Sequence, residues 1–167
     1  MAKILIVEDN NDFRDVVENL LKEKFTDLEI FQALTAEDGF GLAVHEKPDV
    51  ILMDIHLPNM NGMDAAKLIK EKVAGCKIIL ADDHEILRTG LRKLIDNEGT
   101  MQVAAEASDG EELLEKLEKT RCDMVILDLS MPNMDGISAL KEIRKKFPKV
   151  KIIVLTMQKN HEQFKLV

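Results

Sequence analysis

The chain has 167 residues, of which 46 % are apolar, so it is long enough to bury a hydrophobic core and too apolar to be disordered. Its 23 basic and 31 acidic side chains give a net charge of −8, which provides no electrostatic reason to bind nucleic acid or an anionic membrane surface. Because the apolar runs are short, we expect no transmembrane or secretory segment and a cytoplasmic protein.

Short apolar runs between charged or turn residues predict the strands of a parallel sheet that is buried on both faces. In chain order these runs are Ile4–Val7, Val50–Met53, Ile78–Ala81, Met124–Leu127 and Ile152–Leu155. Apolar residues at helical spacing follow the first and third runs, and the capping patterns that begin at Thr35 and Ser108 predict two further helices. Strands that alternate with helices predict an α/β fold with a doubly wound parallel sheet.

The sequence repeats itself at a shift of 74 residues. The matching segments are Lys3-Ile4 with Lys77-Ile78, Glu8-Asp9 with Asp82-Asp83, Asp54 with Asp128, Pro58-Asn59-Met60 with Pro132-Asn133-Met134, and Gly62 with Gly136. Two periods leave 19 residues, which begin a third strand unit without its acidic pair. The chain is therefore predicted to contain two partial copies of one α/β unit.

Acidic residues directly follow the predicted strands in both copies. Glu8 and Asp9 follow the first run and Asp54 follows the second, and the second copy repeats this arrangement with Asp82, Asp83 and Asp128. Because the carboxyl ends of parallel strands meet at one edge of the sheet, three carboxylates are expected to converge there in each copy. Their mutual repulsion requires protonation or a divalent cation, and oxygen ligands of this kind suit Mg²⁺.

At these residues the chain resembles the receiver domain of two-component response regulators, which has a flavodoxin-like fold. The resemblance rests on the segments Ile4-Leu-Ile-Val-Glu-Asp-Asn10 and Val50-Ile-Leu-Met-Asp-Ile-His-Leu-Pro-Asn-Met-Asn-Gly62, and on their counterparts that begin at Ile78 and Val125. The second copy is most similar to receivers that precede a helix-turn-helix output domain, judged by Ala81-Asp-Asp-His-Glu85 and Val154-Leu-Thr-Met157.

The resemblance implies a role for each matching residue. Asp54 and Asp128 would be phosphoacceptors, and Thr156 would supply the hydroxyl that senses the phosphoryl group. Asp9 and Asp83 would bind Mg²⁺ directly, and Glu8 and Asp82 would hold its water shell. The backbone carbonyls of His56 and Ser130 would supply a further metal ligand.

The chain departs from the family pattern because neither copy reaches the fifth strand or the lysine that ends it. We therefore predict a partial receiver of three βα units at 1–76, and a second receiver at 77–167 that is truncated in its fourth helix. Two arrangements of strands compete. In the favoured one, 77–167 has the strand order 2-1-3-4 and 1–76 packs beside it with the order 2-1-3. In the other, the first copy borrows Lys77–Ala81 and Met101–Ala107 as its fourth and fifth strands.

The leading functional hypothesis is a phosphoacceptor module of a two-component phosphorelay, which receives a phosphoryl group from a histidine kinase or a small phosphodonor. Any catalysis would be transfer to its own aspartate, without turnover. One alternative is an interaction module that cannot be phosphorylated, because the lysine is missing, and another is a recombined or engineered receiver chimera. A haloacid-dehalogenase-like phosphatase is disfavoured, because His56 and Ser130 occupy the position of its second aspartate.

The same reasoning yields three expectations about partners. Unpaired strand edges suggest a homodimer as a hypothesis. No helix-turn-helix motif follows the second copy, so no DNA binding is expected from this chain. No membrane association is expected either.

Overall fold

The computed structural model of the chain describes residues 2–54, 57, 76–97 and 99–156. Its elements, in chain order, are β1 (Ala2–Val7), α1 (Asn11–Lys24), β2 (Leu28–Ala33), α2 (Ala36–Glu46), β3 (Val50–Asp54), β4 (Cys76–Ala81), α3 (Glu85–Asn97), β5 (Met101–Ala107), α4 (Gly110–Lys119), β6 (Met124–Asp128), α5 (Gly136–Lys146) and β7 (Lys151–Thr156). The predicted helices that would follow β3 and β7 lie outside the described residues.

All seven strands form one parallel sheet in the order β2-β1-β3-β7-β6-β4-β5. Helices pack on both of its faces. The prediction of a doubly wound, flavodoxin-like α/β sheet that contains a fused partial repeat is therefore confirmed. The outermost strands are β2 and β5, and the hypothesis of a homodimer through such edges stays a prediction.

The strand order places β7 between the two copies. The groups β2-β1-β3 and β5-β4-β6 both have the order 2-1-3, and β7 pairs with β3 on one side and with β6 on the other. β4 pairs with β5 and β6, so it is the first strand of the second copy and not the fourth strand of the first. This is the strand order of the favoured arrangement, whereas the division into two domains at residue 76 stays a prediction.

Equivalent residues of the two copies face opposite sides of the sheet. Ile4 and Ile6 pack on the face that α1, α4 and α5 cover, whereas their counterparts Ile78 and Leu80 pack on the face of α2 and α3. Because successive side chains of a strand point to opposite faces of the sheet, the same difference between the copies holds for all equivalent residues of β1 and β4. The two copies are thus related by an approximate two-fold rotation about the direction of β7.

Polar side chains fix the beginnings of the helices. The Asn10 side chain accepts a hydrogen bond from the Phe13 N–H at the start of α1, and the Thr35 hydroxyl accepts one from the Asp38 N–H at the start of α2. The capping pattern assigned to Ser108 is shifted by one residue, because Asp109 is the residue that caps α4. Among the described residues, no helix has both the length and the apolar character needed to cross a membrane.

Candidate functional site

Two acidic clusters lie at the carboxyl ends of the strands, one in each copy. The first contains Glu8, Asp9 and Asp54, and the second contains Asp82, Asp83, Asp128 and His84. Within each cluster, one ligand atom from every residue lies within 4.8 Å of the others. The acids converge because β1 is the neighbour of β3, and β4 is the neighbour of β6, so that the loop after one strand meets the end of the next.

The second cluster is built around two buried carboxylates. Asp82 and Asp128 are only 5 % and 7 % exposed. The Asp82 carboxylate accepts a hydrogen bond of 2.7 Å from the backbone N–H of His84, and the His84 ring lies 2.8 Å from an Asp83 oxygen. Burial and the adjacent charge of Asp82 raise the pKa of Asp128, and the charge of Asp83 raises the pKa of His84.

The first cluster has the same plan, with a more exposed carboxylate at the end of β3. Glu8 is 6 % exposed and accepts a hydrogen bond of 3.0 Å from the Asn10 N–H, whereas Asp54 is only half-buried. Burial, with a smaller contribution from the charges of Asp54 and Asp9, raises the pKa of Glu8 to about 7.

The donor set of both clusters fits a hard divalent cation. Each offers three carboxylates, and the pKa values of Glu8 and Asp128 are raised because burial leaves their negative charges poorly solvated and other carboxylates lie close to them. A divalent cation bound among these oxygens would relieve this repulsion. Oxygen ligands are those that Mg²⁺ prefers.

The structure describes only some of the remaining predicted site residues. Ser130 lies two residues after Asp128 in the loop, where backbone hydrogen bonds from Leu129 and Ser130 to the Asp128 carboxylate lower its pKa and oppose the effect of burial. The metal contact expected from the Ser130 carbonyl stays a prediction. Thr156 is the last residue of β7 and pairs in register with Asp54. His56 lies outside the described residues.

Two arginines support the clusters and were missed by the sequence analysis. Arg14 on α1 donates a hydrogen bond of 2.9 Å to the carbonyl of Glu8 and another to the side chain of Gln32. Arg88 on α3 donates to the carbonyl of Asp82 and to the side chain of Glu106. Both pairs match at the shift of 74 residues, which is the signal that could have revealed them.

Replacing Glu8 with glutamine is expected to stabilise the metal-free protein at high pH. The folded state holds a proton on Glu8 up to a pKa of about 7, against 4.5 for an ordinary glutamate, so the wild-type loses stability as the pH rises between these values. Glu8→Gln cannot ionise, and it should be more stable than wild-type by about 1–3 kcal/mol at about pH 8, and nearly equal at about pH 4. Urea unfolding in the presence of EDTA measures the free energy of unfolding of both proteins at the two pH values.

The exposed Glu23 of α1 provides the matched control, because Glu23→Gln should leave stability within about 0.5 kcal/mol at both pH values. An equal effect of Glu8→Gln at both pH values would contradict the assignment of a strained, buried carboxylate.

In each copy, acidic groups follow the first and third strands of a parallel α/β arrangement. This pattern defines the chain as a receiver-type protein with two acidic sites at the ends of strands. The family model described as "Response regulator receiver domain" matches residues 4–81 and 78–166. The chain belongs to this family. The two matches overlap at 78–81, within β4, the strand that the sequence alone could assign to either copy.

Curated relatives match about half of the chain. The transcriptional regulatory protein YhcZ of Bacillus subtilis is 45 % identical over 86 residues, which cover 52 % of this chain and 40 % of the relative. The oxygen regulatory protein NreC of Staphylococcus epidermidis is 42 % identical over 87 residues, with coverage of 52 % and 40 %. The chain therefore spans about two fifths of the length of these relatives.

Similar solved structures include RcsB from Salmonella enterica serovar Typhimurium. One describes RcsB bound to promoter DNA in the presence of a phosphomimetic, with 39 % identity, a TM-score of 0.49, and coverage of 52 % of this chain and 44 % of RcsB. Another describes its isolated receiver domain, again at 39 % identity and a TM-score of 0.49, with coverage of 52 % and 64 %.

The expectation that DNA binding can be excluded is wrong. The curated relative YhcZ is named a transcriptional regulatory protein. The exclusion rested on the net charge and motifs of this chain alone, whereas YhcZ and NreC are longer proteins of which the matched part is 40 %.

Proposed function

We propose that the chain is a phosphoacceptor module of a two-component phosphorelay in the cytoplasm. Asp128 is the principal phosphoacceptor, Asp54 is a second one, and the donor is a histidine kinase or a small phosphodonor. The single observation that carries this proposal is the buried Asp128 carboxylate, which lies with Asp82 and Asp83 in one cluster. The names of the relatives support an output in transcriptional regulation.

The proposed reaction is an in-line phosphoryl transfer to a carboxylate oxygen. With acetyl phosphate as donor, an Asp128 oxygen forms a bond to phosphorus while the bond between phosphorus and the acetyl oxygen breaks, and acetate leaves with the electron pair. The product is an acyl phosphate on Asp128. The N–H groups of Leu129 and Ser130 favour the ionised carboxylate that this attack requires.

Mg²⁺ is the proposed cofactor of the transfer. Asp83 and Asp128 would hold the ion in the second copy, with Asp82 orienting its water, and Asp9, Asp54 and Glu8 would do so in the first. When bound, the ion neutralises the negative charge that builds up when a phosphoryl group approaches a carboxylate. The arginines of α1 and α3 hold the backbone of Glu8 and Asp82 in place for this purpose.

Incubation with acetyl phosphate and Mg²⁺ is expected to give a phosphoryl adduct that intact-mass spectrometry detects. Asp128→Asn should remove most of the adduct and Asp54→Asn a smaller part, because Asp54 is less enclosed. Removal of Mg²⁺ with EDTA should lower adduct formation by at least about tenfold, since a divalent ion contributes several kcal/mol to such a transition state.

The exposed Asp15 of α1 supplies a control, and Asp15→Asn should form the adduct like the wild-type. If neither site accepts a phosphoryl group while all variants remain folded, the proposal is wrong. The interaction module that does not become phosphorylated would then be the better hypothesis.

A further inference from the structure

The two acidic clusters lie at the same edge of one continuous sheet, and a single strand separates them. Asp54 ends β3, Asp128 ends β6, and β7 pairs with both strands. Asp54 is paired in register with Thr156 of β7, and Asp128 is paired with Leu155, the residue before Thr156 on the same strand. Because neighbouring strands are about 4.8 Å apart, the backbones of the two candidate phosphoacceptors lie about 10 Å from each other.

This separation is comparable to the distance over which salt screens charge. The Debye length is about 8 Å at physiological ionic strength, and the strand between the sites is buried, so screening between them is incomplete. Phosphorylation adds about one unit of negative charge at each site. Asp54 and Asp128 face opposite sides of the sheet, so their phosphoryl groups would lie farther apart than the backbones, at about 14 Å. Coulomb's law with an effective dielectric constant of about 20–40 makes a second such charge at this distance roughly three- to sevenfold less favourable before screening.

The shared strand also contacts both copies directly. At its start, β7 donates backbone hydrogen bonds to both copies, from Lys151 to Asp123 at 3.0 Å and from Ile152 to Asp49 at 3.1 Å. The side chains of Ile152 and Val154 are buried in the same core that holds α1 and α5. A change in the position of β7 at one site would therefore alter its packing against the other copy.

We propose that the two phosphoacceptor sites are negatively coupled across β7, so that a phosphoryl group on Asp128 disfavours one on Asp54, and the reverse. This inference rests on the proposed function of both sites. With partial screening, the coupling lowers double occupancy by about 1.5- to fivefold relative to independent sites. Doubly phosphorylated molecules are then rarer than two independent sites would give.

The test uses the full chain with acetyl phosphate and Mg²⁺ at partial modification. Intact-mass spectrometry gives the fraction of molecules that carry two phosphoryl groups. Digestion of the same sample with pepsin at low pH, where acyl phosphates survive, gives the separate occupancies of Asp54 and Asp128. The doubly modified fraction is then compared with the product of these two occupancies, so that the comparison itself needs no substitution.

A doubly modified fraction about 1.5- to fivefold below the product is the expected result. A fraction equal to the product, or above it, would overturn the coupling and leave the proposed function intact. The Asp128→Asn variant is needed if wild-type carries only one phosphoryl group. If this variant becomes modified at Asp54, the result supports the proposal that a phosphoryl group on Asp128 disfavours one on Asp54. If Asp54 stays unmodified in that variant as well, the coupling is overturned. An absence of adducts at both sites overturns the proposed function itself.

Discussion

Replacement of Gly136 with alanine is expected to destabilise the protein by about 3 kcal/mol or more, which is among the largest effects of a single added methyl group. Gly136 begins α5 and donates a hydrogen bond of 3.0 Å to the carbonyl of Leu129. An alanine Cβ there would lie 2.3 Å from the carbonyl oxygen of Asp128 and 2.7 Å from the Cα of Leu129. Both are backbone atoms at the end of β6, so neither can move without displacing Asp128 and its acidic cluster.

Urea unfolding followed by far-UV circular dichroism measures this effect. Gly90 in α3 provides the matched control, because an added Cβ at Gly90 would meet no described atom within 4 Å. Gly90→Ala should stabilise the protein by about 0.5–1 kcal/mol, since alanine is the better helix former. A Gly136→Ala variant as stable as the wild-type would contradict the close approach of α5 to the end of β6.

Replacement of Ile152 with alanine is expected to cost about 2–5 kcal/mol. Ile152 is 1 % exposed and lies in β7, between β3 and β6. Because β7 belongs to both halves of the sheet, the loss should appear in one cooperative transition that affects both copies. Lys151→Ala, on the same strand, should cost less than about 1 kcal/mol, since its ion pair with Asp49 is largely exposed.

Chemical denaturation followed by circular dichroism, together with hydrogen exchange of the β1 and β4 amides, tests this expectation. Both strands should lose protection by a similar amount in Ile152→Ala. Two separate transitions, with only one copy affected, would show that the halves of the sheet unfold independently.

The sequence predicted the local structure and the acidic clusters well, because both depend on short patterns. Apolar runs such as Ile78–Ala81 correspond to strands, and the acidic pairs after β1 and β4 are positioned by the runs that precede them. The repeat made the site prediction stronger than either copy alone. The capping residue of α4 was misplaced by one position because Ser108 and Asp109 are both suitable caps.

The neighbour of each strand was less predictable. An apolar run shows that a strand is buried but does not identify its partner, so the sequence left β4 assignable to either copy. The pairing of β3 with β7 joins segments about 100 residues apart, as the contact between Lys151 and Asp49 at a separation of 102 residues illustrates. Arg14 and Arg88 were missed for a related reason, because each donates to a backbone carbonyl, which has no residue signature, and only their match at the 74-residue shift marks them.

The central position of β7 has a consequence for the order in which the protein is made. The first copy leaves the ribosome with β3 as an open, apolar edge, and its partner follows only after a further 102 residues. At typical rates of synthesis, of about 5–20 residues per second, that edge waits for roughly 5–20 seconds. During this interval nascent β3 is a target for chaperones and for edge-to-edge association between neighbouring chains on a polysome.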